Sequence, residues 1–366
     1  MSIIGQPVAT NQVRDGHQGG VNSGNVNPLY IEQYGGEVEF RILKESFMRQ
    51  FFTFKTVRGT DTVTNDRMGS TELQKVTRGV RPTDSSPTFD NISVKVDTIV
   101  LARTNQFVLD DFFAHIDVRK EVGKEHGKTI GKFFDESFII QGIKAAQITN
   151  KSPEGVSLGG WEEVVVSGTP NATAPVARAS IVRTAPKDFQ GATTIQLGNI
   201  GYEQDPDALV RAIQDMCQKI EEKDIDLEGG VVLVRPEQYY VLLRNDKLLD
   251  KDFSMSNGDY AKGTILQANG VRIQKTNRFP KASDVGVQHY LSNAGNGNAY
   301  DVDTYDTDCI ALFLQPKALL AGETIPLTSK VYYSDIELQW FVDSYLAFAV
   351  TPNRAEMAAG IFKYRA

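Results

Sequence analysis

The sequence predicts an α+β chain, and three observations predict it. A helical pattern of about thirty residues runs from Asp117 to Ile148. Asp205-Pro206 reads as a helix cap followed by proline at the first helical position, opening a second helix to about Lys223. The last sixty residues hold short apolar runs of strand length, at Cys309 to Leu314, Val331 to Tyr333, Ile336 to Phe341 and Tyr345 to Val350.

The chain has 366 residues, 41% hydrophobic and 23% charged, an ordinary globular composition with enough apolar mass for a core. No apolar run approaches the roughly 18 residues a membrane helix needs, and Met1 to Gly5 lacks the basic start and apolar stretch of a signal peptide. Cys217 and Cys309 are too few for a disulfide framework, which fits a reducing cytoplasm. With 39 basic against 46 acidic side chains, the net charge of −7 argues against a dedicated nucleic-acid binder, whose affinity comes from neutralising phosphates.

The first 28 residues, rich in Gly, Asn, Gln and Val, cannot bury enough apolar surface to fold alone and read as an arm. Helical spacing follows from Phe40 to Phe54 through Leu43, Phe47 and Phe51. Residues 55–95 are rich in Thr and Arg with sparse apolar alternation, which predicts a two-stranded excursion with little core of its own, running into a strand from Ile92 to Val100. On the long helix Val118, Val122, His126, Ile130, Phe133 and Ile140 share one face, and Thr149 to Pro153 stops it. Short strands are expected at 164–166 and 194–197. Leu209, Ile213, Met216 and Ile220 form the stripe of the capped helix. Val231 to Val234 reads as a buried strand, and a short helix follows from Pro236.

Several motifs suggest chemistry and fall short of it. Gly123 to Thr129 resembles a phosphate loop, but Val122 stands where its first glycine belongs and the segment is helical rather than post-strand. Gly155-Val156-Ser157-Leu158-Gly159 matches a nucleophile elbow with the flanking elements in reverse order. The acidic run Asp301 to Asp308 lacks the glycine and terminal glutamate of a calcium loop. Two cysteines and His17, His115, His126 and His289 make no zinc spacing. These readings predict no catalytic, cofactor or metal residues.

One constellation is costly enough to call for a purpose. Gly123, Gly127 and Gly131 recur every four residues on the long helix beside Lys120, Lys124, Lys128 and Lys132. Each helical glycine costs about 1 kcal/mol relative to alanine. Angular counting puts both stripes away from the Val118–Phe133 face, so they read either as a solvated face partly balanced by Glu121 and Glu125 or as a place of close approach for the N-terminal arm or a neighbouring copy's loop. The loop residues Lys55, Arg58, Arg67, Lys75, Arg78 and Arg81 are a second candidate assembly surface, being in excess over Asp61, Asp66, Glu72 and Asp84.

Taken in order, these parts resemble the major capsid proteins of tailed, in particular short-tailed, bacteriophages, with the HK-97 fold. The resemblance is carried by Val231-Val232-Leu233-Val234-Arg235-Pro236, Tyr239 to Leu243, Gly263-Thr264-Ile265, Asn269-Gly270-Val271-Arg272-Ile273 and Phe279-Pro280. Gly35 to Val38, His115 to Arg119, Cys309 to Phe313 and Glu356 to Phe362 add to it. It implies an arm (1–30), an arm helix region (31–54), an extended loop (55–100), a peripheral domain with a spine helix (101–154), a β-rich connection or insertion (155–200), an axial domain (201–325) and peripheral return strands (326–366). It further implies a virion shell of hexamers and pentamers, assembled in the host bacterial cytoplasm on a scaffolding protein. Portal and decoration proteins would be further partners, and double-stranded DNA would be enclosed without sequence specificity. It implies no enzyme activity, cofactor or membrane. Some relatives join a loop lysine to a peripheral asparagine. Lys75 and Asn353 are of those types, but nothing in the sequence identifies the assisting acid. An encapsulin-like compartment is the alternative within this fold, and a serine hydrolase or nucleotide-binding enzyme the alternative outside it.

Overall fold

The computed structural model describes residues 38, 40–41, 46–56, 59–68, 75–79, 81, 89–107, 118–148, 150–151, 163–166, 180–185, 190–245, 258–259, 264–265 and 267–364. The arm at 1–30, Arg58, His17, His115, Gly263 and the Gly155–Gly159 motif with Ser157 lie outside them.

The chain runs through α1 (Met48–Phe51), β1 (Phe54–Thr56), β2 (Thr62–Met68), β3 (Phe89–Lys95), β4 (Val100–Phe107) and α2 (Val118–Ala146). It continues with β5 (Asn150–Lys151), β6 (Glu163–Val166), β7 (Ser180–Ala185), β8 (Thr193–Gln196), α3 (Pro206–Glu221), β9 (Val231–Val234) and α4 (Pro236–Leu242). Next are β10 (Gly258–Asp259), β11 (Thr264–Ile265), β12 (Gln267–Ala268), β13 (Val271–Lys275) and α5 (Thr304–Thr307). The chain closes with β14 (Cys309–Leu314), β15 (Leu319–Ser334), β16 (Gln339–Pro352) and β17 (Ala358–Phe362). Contacts divide it into two units. One comprises the described residues up to Asp61 with Val96–Asp135 and Glu323–Ala349, the other Thr62–Lys95, Glu136–Gly322 and the chain from Val350.

The second unit is built on a six-stranded sheet in the order β12-β13-β9-β14-β17-β8. Strand β9 pairs in parallel with β13 and antiparallel with β14. All four of its residues are buried, as a continuous apolar run demands of a strand covered on both faces. Helix α3 covers one face with Leu209, Ile213, Met216 and Ile220, and the Asp205 side chain caps it by accepting from the Asp207 N–H at 3.1 Å. The last turns of α2 meet the sheet through absent side chains. A Cβ on Gly142 would stand 3.0 Å from both Leu312 and Leu314, and one on Gly360 would stand 3.2 Å from Ala146. Strands β6 and β7 pair antiparallel within the 155–200 stretch, and both cysteines are buried free thiols.

Strands β2 and β3 form an antiparallel ladder from Thr62↔Lys95 to Met68↔Phe89. Their described residues correct the expectation of a coreless excursion, because Val63, Ile92 and Val94 are buried. Gly322 permits this, since a Cβ there would lie 2.5 Å from a Val63 methyl.

In the first unit a four-stranded sheet runs β1-β15-β16-β4, with β16 and β4 in register from Gln339↔Phe107 to Leu346↔Val100. Its core is aromatic: Phe134 lies 4.6 Å from Phe348 and 5.5 Å from Phe54, centroid to centroid. Three expected elements are corrected here. The Phe40–Phe54 helix is not continuous: residues 40–41 and Met48–Phe51 are helical, residues 46–47 between them are not, and Phe54 joins the sheet through β1. The Ile92–Val100 strand is broken at 96–99, where the chain leaves one sheet for the other. Ile336 is not in a strand: residues 335–338 are the turn between β15 and β16, and their apolar residues imitate strand patterning.

Candidate assembly surfaces

The root of the extended loop is tied to its own chain. Arg67 is only 4% exposed, and its guanidinium donates to the Asn353 carbonyl. Asn65 donates to the Asn353 side-chain oxygen at 3.1 Å, and the Asn353 amide donates to the Lys317 carbonyl at 3.1 Å. These groups border a cleft of about 480 Å³ lined by Asn65, Asp66, Lys317, Asn353, Arg354 and Met357. Arg67 is therefore corrected from a surface candidate to an internal clamp: its position in β2 puts it on the inward side with Val63. Lys75, Arg78 and Arg81 are exposed, and so is Lys55 on β1.

The helix stripes also differ from the expectation. Gly123, Gly127 and Gly131 are buried rather than away from the core. A Cβ on Gly127 would stand 2.8 Å from both the Val38 carbonyl oxygen and the Arg41 Cβ. The close approach that glycine permits is thus made by the chain's own preceding segment. Angular counting missed this because α2 is covered on more than one side along its length. Lys124 pairs with Glu121 at 2.6 Å and Lys128 with Glu125 at 3.7 Å, both partly exposed, and Lys132 is half-buried. Lys120 belongs to the helix, its side chain outside the described residues. The Gly123–Thr129 segment is mid-helix, so it forms no phosphate loop.

Groups that sequence patterning did not single out hold the first unit. Asp135 on α2 accepts from the Ser46 hydroxyl at 2.6 Å and from the Met48 and Phe47 N–H groups at 3.2 Å. It caps α1 from another helix. Arg49 donates to Glu323 at 3.2 Å while its guanidinium lies 5.4 Å from the Phe54 ring centroid. Arg103 on β4 donates twice to Asp343 on β16, at 2.8 and 2.7 Å. The one available signal was Asp135 itself, a carboxylate set within Phe133-Phe134-Asp135-Glu136-Ser137-Phe138.

The acidic run 301–308 serves packing. Asp303 caps α5, and buried Asp306 accepts from Gln147 at 2.8 Å. No group of three or more metal-ligating side chains comes together among the described residues. Burial pushes His126 below its ordinary range, against the opposing pull of Asp343, and its ring lies 2.7 Å from the Thr104 hydroxyl. Burial likewise pushes His289 down to about 4, stacked on Tyr300 at 5.5 Å.

This arrangement is similar to solved phage shells. The mature capsid of bacteriophage PhiM1 matches with TM-score 0.67 and 23% identity over 88% of each chain. The capsid of Cyanophage P-SCSP1u matches with TM-score 0.68 and 17% identity, over 88% of this chain and 89% of that one. That of Ralstonia phage GP4 gives 0.51 and 14%, over 86% and 87%. No curated protein matches the sequence. The fold is that of the HK-97-type phage capsid proteins. Residues 173–327 match the family described as Gp10A-like: Major capsid protein. The fold, and a family match over fewer than half of the residues, make the chain similar to phage major capsid proteins.

Proposed function

We infer that the chain builds an icosahedral shell of hexamers and pentamers around double-stranded DNA, assembling on a scaffolding protein in the host bacterial cytoplasm, with a portal and decoration proteins as further partners. The observation that carries the shell reading is the extended loop. Its root is clamped inside the chain by Arg67 and Val63, while Lys75, Val76 and Arg78 stand exposed. Such an apex is stabilised when a neighbouring subunit covers it. Enclosure of DNA without gripping it is supported by where the negative charge sits. Residues 203–228 hold nine carboxylates against three basic side chains, a net −6 of the chain's −7. One of the three, Lys223, is occupied by the Gly191 carbonyl at 2.9 Å and the Thr193 hydroxyl at 2.8 Å.

Electron microscopy of the purified chain, alone and with its scaffolding protein, tests this. Closed shells of uniform size showing five- and six-fold clusters are expected. A chain that stays monomeric or forms only irregular aggregate under both conditions overturns the reading.

A further inference from the structure

The cleft at the loop root is positively charged in a negatively charged chain. Its lining residues Asn65, Asp66, Lys317, Asn353, Arg354 and Met357 carry two cations against one carboxylate, while the chain as a whole stands at −7. All of them belong to the second unit. At about 480 Å³ the cleft falls inside the roughly 300–1,000 Å³ of small-molecule sites.

Its cationic donors are free and its side-chain acceptors are mostly engaged. The Lys317 ammonium, on the exposed turn between β14 and β15, has no hydrogen-bond or ion-pair partner among the described residues. Arg354 meets Glu356 through one nitrogen at 3.3 Å, and its other guanidinium N–H groups have no acceptor among those residues. The Asn353 side chain is used within the chain, its oxygen taking Asn65 and its amide going to the Lys317 carbonyl. Asp66 gives one oxygen to the Asn91 amide at 2.5 Å. Alternation along β2 sends Asp66 outward with Thr64 and Met68, and Asn65 inward with Val63 and Arg67. The one carboxylate therefore stands at the rim of the cleft and not on its floor.

An unpaired ammonium and a half-used guanidinium lining one cleft are suited to an oxyanion, the ammonium as a point charge and the guanidinium through paired N–H groups. We propose that the cleft binds a small oxyanion, a free phosphate or a small carboxylate, between Lys317 and Arg354. Bound there, the anion joins the β14–β15 turn to the chain that follows β16, the two segments that fix Asn353. Because Asn353 receives both Asn65 and Arg67 of β2, the anion also steadies the root of the extended loop. The proposal stands on the cleft alone and is independent of the shell reading.

Thermal unfolding of the unassembled full chain tests it, in sodium phosphate, sodium citrate and sodium chloride at equal ionic strength. Kosmotropic anions stabilise folded proteins by exclusion from their surface, an effect that grows steadily with concentration and ignores single substitutions. Site binding saturates instead: at ten times the dissociation constant it multiplies the folded-to-unfolded ratio about elevenfold. A saturating rise is expected in the wild type with phosphate, with citrate or with both, and the anion that produces it names the source. Lys317→Gln and Arg354→Gln should each weaken binding about tenfold, the loss of one charged hydrogen-bonding group. Asp66→Asn keeps an acceptor for Asn91 and removes the rim charge, so it should tighten binding about threefold. Amide hydrogen exchange in β2 and in residues 353–357 should slow about threefold or more on saturation of the wild type, and stay unchanged in Lys317→Gln. Rises that are linear in both anions, or that survive both glutamine substitutions, overturn the site. Unchanged exchange in β2 under a saturating anion overturns its coupling to the loop.

Discussion

The carboxylate of Asp135, midway along the spine helix, accepts a 2.6 Å hydrogen bond from the hydroxyl of Ser46, eighty-nine residues earlier. The same carboxylate takes the N–H groups of Phe47 and Met48, and the Ser46 hydroxyl accepts the Arg49 N–H at 3.3 Å, so the one-turn helix is capped jointly by its preceding serine and from outside. Asp135 is 4% exposed, and removing it leaves three donors without this acceptor. Asp135→Ala should cost about 2–4 kcal/mol of subunit stability. Asp135→Asn, which keeps one acceptor oxygen, should cost about half as much. Thermal or urea unfolding of the unassembled protein measures both, and a neutral alanine variant would show that α1 is held by Ser46 and its aromatic contacts alone.

Gly127 leads to a sharper expectation than its sequence pattern did. Counted from the sequence, Gly127→Leu would fold and fail only on assembly. With a Cβ at 127 only 2.8 Å from the Val38 carbonyl oxygen, even Gly127→Ala must push backbone away. The helix-propensity gain of about 1 kcal/mol is then outweighed by overpacking of about 1–3 kcal/mol. Gly127→Ala should lower the melting temperature of the subunit and Gly127→Leu should lower it further. A rise with alanine would mean that the 38–41 segment yields easily.

What could be read from the sequence was local. The Asp205-Pro206 cap, the four-residue stripe of α3 and the all-apolar Val231 to Val234 each depend on neighbours a few positions away, and each stands in the structure as read. What could not be read depends on contacts distant in sequence. Thr62 to Met68 looks polar, yet Val63 is buried because Gly322 makes room and Arg67 because it reaches the Asn353 carbonyl. The burial of Gly127 depends on Val38 and Arg41, some ninety residues away. The candidate assembly residues were therefore legible as a list of types, while their division into clamped, buried and exposed groups was not.

The clamp at the loop root yields its own test. Arg67→Met keeps the aliphatic stem and removes the donor to the Asn353 carbonyl, a loss of about 1.5–3 kcal/mol for a charged hydrogen bond in a buried setting. Gly322→Ala strikes the same root by forcing a methyl to within 2.5 Å of Val63. Both should raise amide hydrogen exchange in β2 and β3 well before they alter exchange in β9 and β14. Exchange that rises evenly over all four strands would show that the hairpin unfolds only with the whole subunit.

Acid should weaken the isolated subunit through its buried histidines. His289 is pushed down to about 4 by burial, with Lys144 lowering it further and Asp301 opposing, while in the unfolded chain it titrates near 6.5. The unfolded state therefore binds the proton first. The stability His289 contributes is complete above pH 6.5 and drains away as pH falls toward 4, amounting to about 3 kcal/mol across that window. His126, lowered in the same direction, adds to the trend. The neutral His289 ring accepts the Leu291 N–H at Nδ1, 3.2 Å away, and a protonated ring cannot. His289→Gln retains an acceptor without a titrating group, so it should flatten the fall in unfolding free energy between pH 6.5 and 4 by about half or more. Urea unfolding at half-unit pH steps makes the comparison, and parallel curves for wild type and variant would assign the acid sensitivity to carboxylates instead.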